Sequence, residues 1–202
     1  MVELGVGVGR GPGVGASGRV SELVGSPGWA GRTRTVRMDV LARMDGVTPA
    51  VVLRRAAVDD VPGLVAMLAD DALGAGREAD VLDEVALEPY LRAFREIDAD
   101  PVHLLVAACA GEALVGTLQL SFLLGLSRRG ASRAQIEAVR VHRDHRGQRL
   151  GEFMIRWAIA EAGRRGCAIV QLTTDKTRTD AQRFYARLGF AASHEGMKLQ
   201  IG

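Results

Sequence analysis

From Val51 onward the apolar and polar positions follow two alternating periods. Residues 51–57 (VVLRRAA) read as a strand, and Asp59-Asp60-Val61-Pro62 opens a helix with acidic residues and a proline in its first turn. Leu64, Met67 and Leu68 supply that helix's apolar face. Residues 74–83 have no clear period and predict a loop before a second helix at about 89–97. Residues 104–109 and 113–124 read as two strands joined by Ala110-Gly111-Glu112, an antiparallel hairpin. After an arginine-rich loop, 135–141 is the next strand. Leu150, Phe153, Met154, Trp157 and Ala158 then recur at the spacing of a core-facing helix, with Gly166 as its cap. Residues 168–174 form a compact apolar strand, far enough along to lie parallel to 135–141 through the helical crossover. A last helix opens on Thr179-x-x-Gln182, a capping-box pattern, and ends at Gly189, leaving 190–201 as terminal β structure.

Residues 1–50 have a different texture. Ten of the chain's 25 glycines fall at or before Gly31, and neither period is visible. The expected organisation is therefore a flexible Gly-rich extension over 1–50 and one domain over 51–202. Met38 and Met44 lie close to where domain-like sequence begins, so a translation start there is also compatible with the pattern. Residues 13–18 satisfy Gly-x-Gly-x-x-Gly, but no strand precedes them and no helix follows, so a dinucleotide site is not expected.

The net charge of +2 conceals segregation: residues 51–126 hold 5 Arg against 13 acidic residues, whereas 127–165 hold 10 Arg against 4. Cys109 and Cys167 lack close pairing and read as reduced core residues, and the four histidines show no metal-ligand spacing. The longest uncharged apolar-rich run, 113–127, is too short and too interrupted for a membrane span. No secretory leader is recognisable, and a cytoplasmic protein is the expectation. Near absence of Lys and few aromatics argue against a nucleic-acid partner.

Residues 139–151 (VRVHRDHRGQRLG) run from a strand through a basic turn into a helix, a construction that binds anions through free backbone N–H groups and the helix dipole. Arg140, Arg143, Arg146 and Arg149 crowd the same turn and point to a ligand with several negative charges. The hexapeptide Arg146-Gly147-Gln148-Arg149-Leu150-Gly151 resembles the cofactor loop of the GNAT superfamily of acyl-CoA N-acyltransferases, Gln/Arg-x-x-Gly-x-Gly/Ala, with Arg149 where the family usually has glycine. Residues 180–190 (DAQRFYARLGF) are similar to that family's last helix, Ala-x-x-x-Tyr-x-x-x-Gly-Phe. The two motifs stand in the family's order, and the resemblance covers roughly 51–202.

The resemblance implies an α/β fold: a mixed, mostly antiparallel central sheet with a splayed parallel pair and helices on both faces. It implies acetyl-CoA as cosubstrate, with Val139, Arg140 and Val141 contacting the pantetheine arm and Arg146, Gly147, Gln148, Arg149, Leu150 and Gly151 holding the pyrophosphate. It makes Tyr185 the proton donor to the leaving sulfur, and Glu137 the group that helps deprotonate the amine. Where many relatives have Asn before the last helix, this chain has Arg178. The implied acceptor is a small-molecule primary amine, closest to the aminoalkylphosphonate type, and Arg128, Arg129 and Arg133 could bind an anionic end of it. The acidic segment with Asp70, Asp71, Glu78, Asp80, Asp83 and Glu84 instead suits a polyamine or aminoglycoside-like cation. Protein N-acetylation and a non-catalytic coenzyme A sensor are the alternatives, no metal is expected, and a homodimer is left open.

Overall fold

The computed structural model describes residues 39–70 and 84–201. The chain divides into units 1–36 and 37–202, and the first lies outside the described residues. Within the second, the strands are β1 (Val40–Met44), β2 (Val51–Arg55), β3 (His103–Ala110), β4 (Ala113–Leu123), β5 (Arg133–Val141) and β6 (Ile169–Leu172). They form one sheet in the order β1-β2-β3-β4-β5-β6, antiparallel throughout except for the parallel β5–β6 pair. The helices are α1 (Val61–Ala69), α2 (Glu84–Ala99), the single turn α3 (Ser127–Gly130), α4 (Leu150–Arg164) and α5 (Thr179–Arg187).

Alternation along the strands divides the apolar residues between two cores. Leu104, Val106, Leu118, Leu120, Ala134 and Ile136 point to the face covered by α4, which buries Leu150, Met154, Ile155, Ala158 and Ala162 there. Each large side chain among them contributes on the order of 2 kcal/mol by leaving water. Phe153 and Trp157, expected on this stripe, are half-buried at its margin, where both still pack on the core. The opposite face packs Ala107 and Cys109 against Val61, Leu64, Val65 and Met67 of α1 and Phe94 of α2. Between these layers Asp60 joins β2 to α1: it accepts from Arg54 at 2.6 and 2.8 Å and from the Ala57 N–H at 2.7 Å.

Several expectations hold in detail. Gly111 turns the β3–β4 hairpin at φ 62°, and Cys109 and Cys167 are free thiols. At the end of α4, Gly166 at φ 75° lets the Cys167 N–H reach the Ala162 carbonyl.

Three expectations fail. The domain does not begin at 51: Val40–Met44 pairs with Val51–Arg54, so residues 40–50 form a hairpin of the sheet instead of belonging to an extension. The capping box does not form, because Thr179 is already helical and the N-cap is Arg178, while the Gln182 side chain turns back to the carbonyls of Asp175 and Lys176. Residues 190–201 contain no strand, and Met197, Leu199 and Ile201 stand exposed. Their alternation has the strand period, but among the described residues no neighbouring strand takes up their backbone groups. Residues 1–38 of the extension expected over 1–50 lie outside the described residues, as do the 74–83 loop, Asp71, Glu78, Asp80 and Asp83.

Candidate functional site

The site is set by where β5 and β6 stop pairing. Their register runs from Arg133↔Ile169 to Ile136↔Leu172 and ends there, while β5 continues to Val141 bonded only to β4. Val139, Arg140 and Val141 therefore have one edge without a strand partner, along which the Val139 and Val141 carbonyls accept from the Arg140 and Arg146 side chains. Just before them β5 carries an irregularity: the β4–β5 register shifts between Thr117 and Gln119, and Ala138 sits at φ 51°. No sequence signal marks Ala138, since alanine at positive φ follows from the bulge and not from its own preference.

Beyond Val141 the chain turns through a 3₁₀ segment at Arg143–His145 into α4. Gly147 is at φ 77°. Arg149, at the family's glycine position, adopts φ 63° and ψ 8°, so the left-handed conformation persists with an arginine in it. The first N–H groups of an α-helix have no intrahelical acceptor, and no side-chain cap is made from Arg149. Leu150 anchors the turn at 2% exposure. A Cβ on Gly151 would stand 3.7 Å from both Phe184 of α5 and Val141 of β5, in ordinary van der Waals contact with each.

The arginines of the turn are held by the chain itself. Arg146 donates through Nε to the Val141 carbonyl at 3.0 Å and through Nη2 to Asp70 at 3.3 Å, and Arg143 donates to Asp70 at 2.8 Å. Asp70 closes α1, so it ties that helix to the basic turn; its acidic neighbourhood was legible, its partners were not. Arg149 pairs with Glu152, and Gln148 donates to the Asp144 carbonyl at 2.9 Å. On the other side of the turn, Met44, Val47 and Pro49 of the β1–β2 hairpin line a shallow pocket with His145, Gln148 and Leu150.

Tyr185 lies on α5, edge-on to Phe184 and Phe190 with ring centroids 5.1 and 5.8 Å away. It packs against the same buried core as Val139, Val141 and Leu172, and among the described residues nothing hydrogen-bonds its hydroxyl. Burial pushes its pKa up, partly offset by the charges of Arg178 and Arg140, so the phenol stays protonated. Glu137 is exposed on β5 opposite Gln119, and among the described residues it has no ion-pair partner. Arg133 shares the strand parity of Glu137, at the far end of β5, and Arg128 and Arg129 are exposed in α3. The groups present fit a long thioester bearing a pyrophosphate: a strand edge without a strand partner, an uncapped helix start beyond it, and a protonated phenol on the same core as that strand.

The GNAT acetyltransferase family model matches residues 69–190, and the chain belongs to that family, whose members are acetyl-CoA-dependent N-acetyltransferases. It is 28% identical over 158 residues to an aminoalkylphosphonate N-acetyltransferase of Salmonella typhimurium, covering 78% of this chain and 96% of that protein. Among solved structures it resembles a transcriptional regulator from Bacillus halodurans C-125, with 48% identity, a TM-score of 0.71, and 75% of this chain and 99% of that one covered. A putative acetyltransferase from Agrobacterium tumefaciens is similar at 26% identity and TM-score 0.64, over 74% of this chain and 99% of that one. Among the described residues no helix is long and apolar enough to cross a membrane.

Proposed function

We propose that the chain transfers the acetyl group of acetyl-CoA to the primary amine of a small molecule by direct attack. The observation that carries this reading is the end of β5–β6 pairing at Ile136 and Leu172, with the uncapped start of α4 beyond it and Tyr185 packed on the same core as Val139 and Val141. Val139, Arg140 and Val141 hold the pantetheine arm by backbone hydrogen bonds, and residues 146–151 take the pyrophosphate on main-chain N–H groups. The neutral amine nitrogen bonds to the acetyl carbon as the carbon–sulfur bond breaks. Tyr185 gives its proton to the departing sulfur, and Glu137 draws the surplus ammonium proton away through water. The phenol holds the proton this role requires, and burial, which raises its pKa, keeps that proton on it until the sulfur departs.

Similarity to the aminoalkylphosphonate enzyme supports a small acceptor over a protein N-terminus. The test is release of free coenzyme A from acetyl-CoA across a panel of primary amines, with 2-aminoethylphosphonate included. Release only in the presence of an amine supports transfer. Tight acetyl-CoA binding with no release for any amine or peptide would make the chain a sensor.

A further inference from the structure

One row of the sheet is polar across four strands on the face that carries Glu137. His103 is paired with Ser121, Ser121 with Gln135, and Gln135 with Gln171. His103 Nδ1 lies 2.8 Å from Ser121 Oγ, and Gln171 Nε2 donates to Gln135 Oε1 at 2.7 Å. The neighbouring row, pointing to the opposite face, is Leu104, Leu120, Ile136 and Leu172. Glutamine has no preference for strands, so two of them facing each other across the parallel pair call for a reason other than folding.

Position supplies that reason. The pyrophosphate turn lies beyond the Val141 end of β5, and the row lies on the other side of Glu137. Two strand residues span about 6.6 Å, so Gln135 stands one such step from the Glu137 carboxylate, on the side away from the pyrophosphate turn. Ser121 is closed off at 5% exposure, whereas Gln135 is half-buried and Gln171 exposed. Whichever way the two amides are turned, their mutual hydrogen bond leaves at least one donor and one acceptor for a ligand. The row holds no permanent cation, and Arg133 lies a further step away.

We propose that Gln135 and Gln171, backed by the His103–Ser121 pair, form the floor that binds an uncharged, hydroxyl- or amide-bearing body of the acceptor amine. This rests on the transfer reading of Glu137 and β5, and it distinguishes the chain from an enzyme built around a short phosphonate.

The experiment compares D-glucosamine, 2-aminoethylphosphonate and n-butylamine as acceptors for the wild type, Gln135→Leu and Gln171→Leu, following coenzyme A release. Wild type is expected to prefer glucosamine. Each variant should lower kcat/KM for glucosamine by up to about tenfold, the loss of one neutral hydrogen bond. Values for butylamine and the KM for acetyl-CoA should stay unchanged. Equal losses for butylamine, a wild-type preference for the phosphonate, or no turnover of glucosamine would overturn the proposal. Calorimetry with acetyl-CoA separates this from failure of the transfer reading, because a chain that does not bind acetyl-CoA fails at the cosubstrate and not at the floor.

Discussion

Arg149 bears a backbone conformation that L-residues with a Cβ avoid, at a cost of roughly 1–2 kcal/mol. Its side chain recovers part of that through an exposed pair with Glu152, a type of contact worth less than about 1 kcal/mol. Arg149→Gly should therefore raise stability by about 1 kcal/mol in urea unfolding, because glycine meets the left-handed requirement without strain. Tyr185 is a second residue whose isolated chemistry can be tested. Tyr185→Phe keeps the ring among Phe184 and Phe190 and removes only the hydroxyl, so single-turnover acetylation should fall about 10²- to 10⁴-fold while acetyl-CoA affinity holds. Because burial raises the phenol's pKa, the alkaline limb of kcat should lie above the ordinary phenol value of about 10. An alkaline limb below that value would place the titrating acid elsewhere.

Between elements, the joint most open to test is the Arg54–Asp60 pair that fastens β2 to the start of α1, with side chains only 14% and 12% exposed. Burial alone would raise the Asp60 pKa, but the hydrogen bonds from Arg54 and the Ala57 N–H and the guanidinium charge outweigh it and hold the carboxyl below its ordinary 3.8. A folded pKa below the unfolded one adds stability that is complete above the unfolded value and is lost as pH falls through the folded value. The clamp should thus weaken below about pH 4. Asp60→Asn leaves the guanidinium without its counter-charge and should cost roughly 3 kcal/mol at neutral pH, with a shallower acid limb in the denaturation curve. Sequence reasoning located α1 because aspartates and a proline announce a helix start, and it located β3, β4 and α4 because apolar periods are long there. It missed β1, five residues of an edge strand in which burial alternates poorly, because pairing with β2 makes that strand more than its own pattern does. The same logic explains residues 190–201: Met197, Leu199 and Ile201 have the period of a strand, and a period without a partner is not a strand. Of the candidate site, the basic turn was legible as a strand-turn-helix pattern and Tyr185 was a candidate only through the family resemblance, whereas the Asp70 bridge and the polar row depend on contacts and register across the fold.

For the whole molecule, the sheet now begins at Val40, which changes where the chain can be shortened. A chain starting at Arg37 should keep the thermal midpoint of the full protein. One starting at Met44 loses the first four residues of β1 and their pairing with β2, and should melt several degrees lower, since even about 1 kcal/mol shifts the midpoint by 2–4 °C at this size. Equal midpoints for both would mean the edge hairpin contributes little. The strand order carries one more consequence. Every strand of β1-β2-β3-β4-β5-β6 lies beside its neighbour in the sequence, so most pairings close short loops and the sheet can grow in the order of synthesis. The exceptions are β2–β3, which close over α1 and α2, and β5–β6, which must wait for α4; of the two, β5–β6 is made last, and β6 is a four-residue strand. The cleft that separates these two strands is thus the last part of the fold to form. In native-state hydrogen exchange, β6 and α5 should open at lower free energy than β3 and β4, leaving the half of the site that carries Tyr185 more readily undone than the strand it faces.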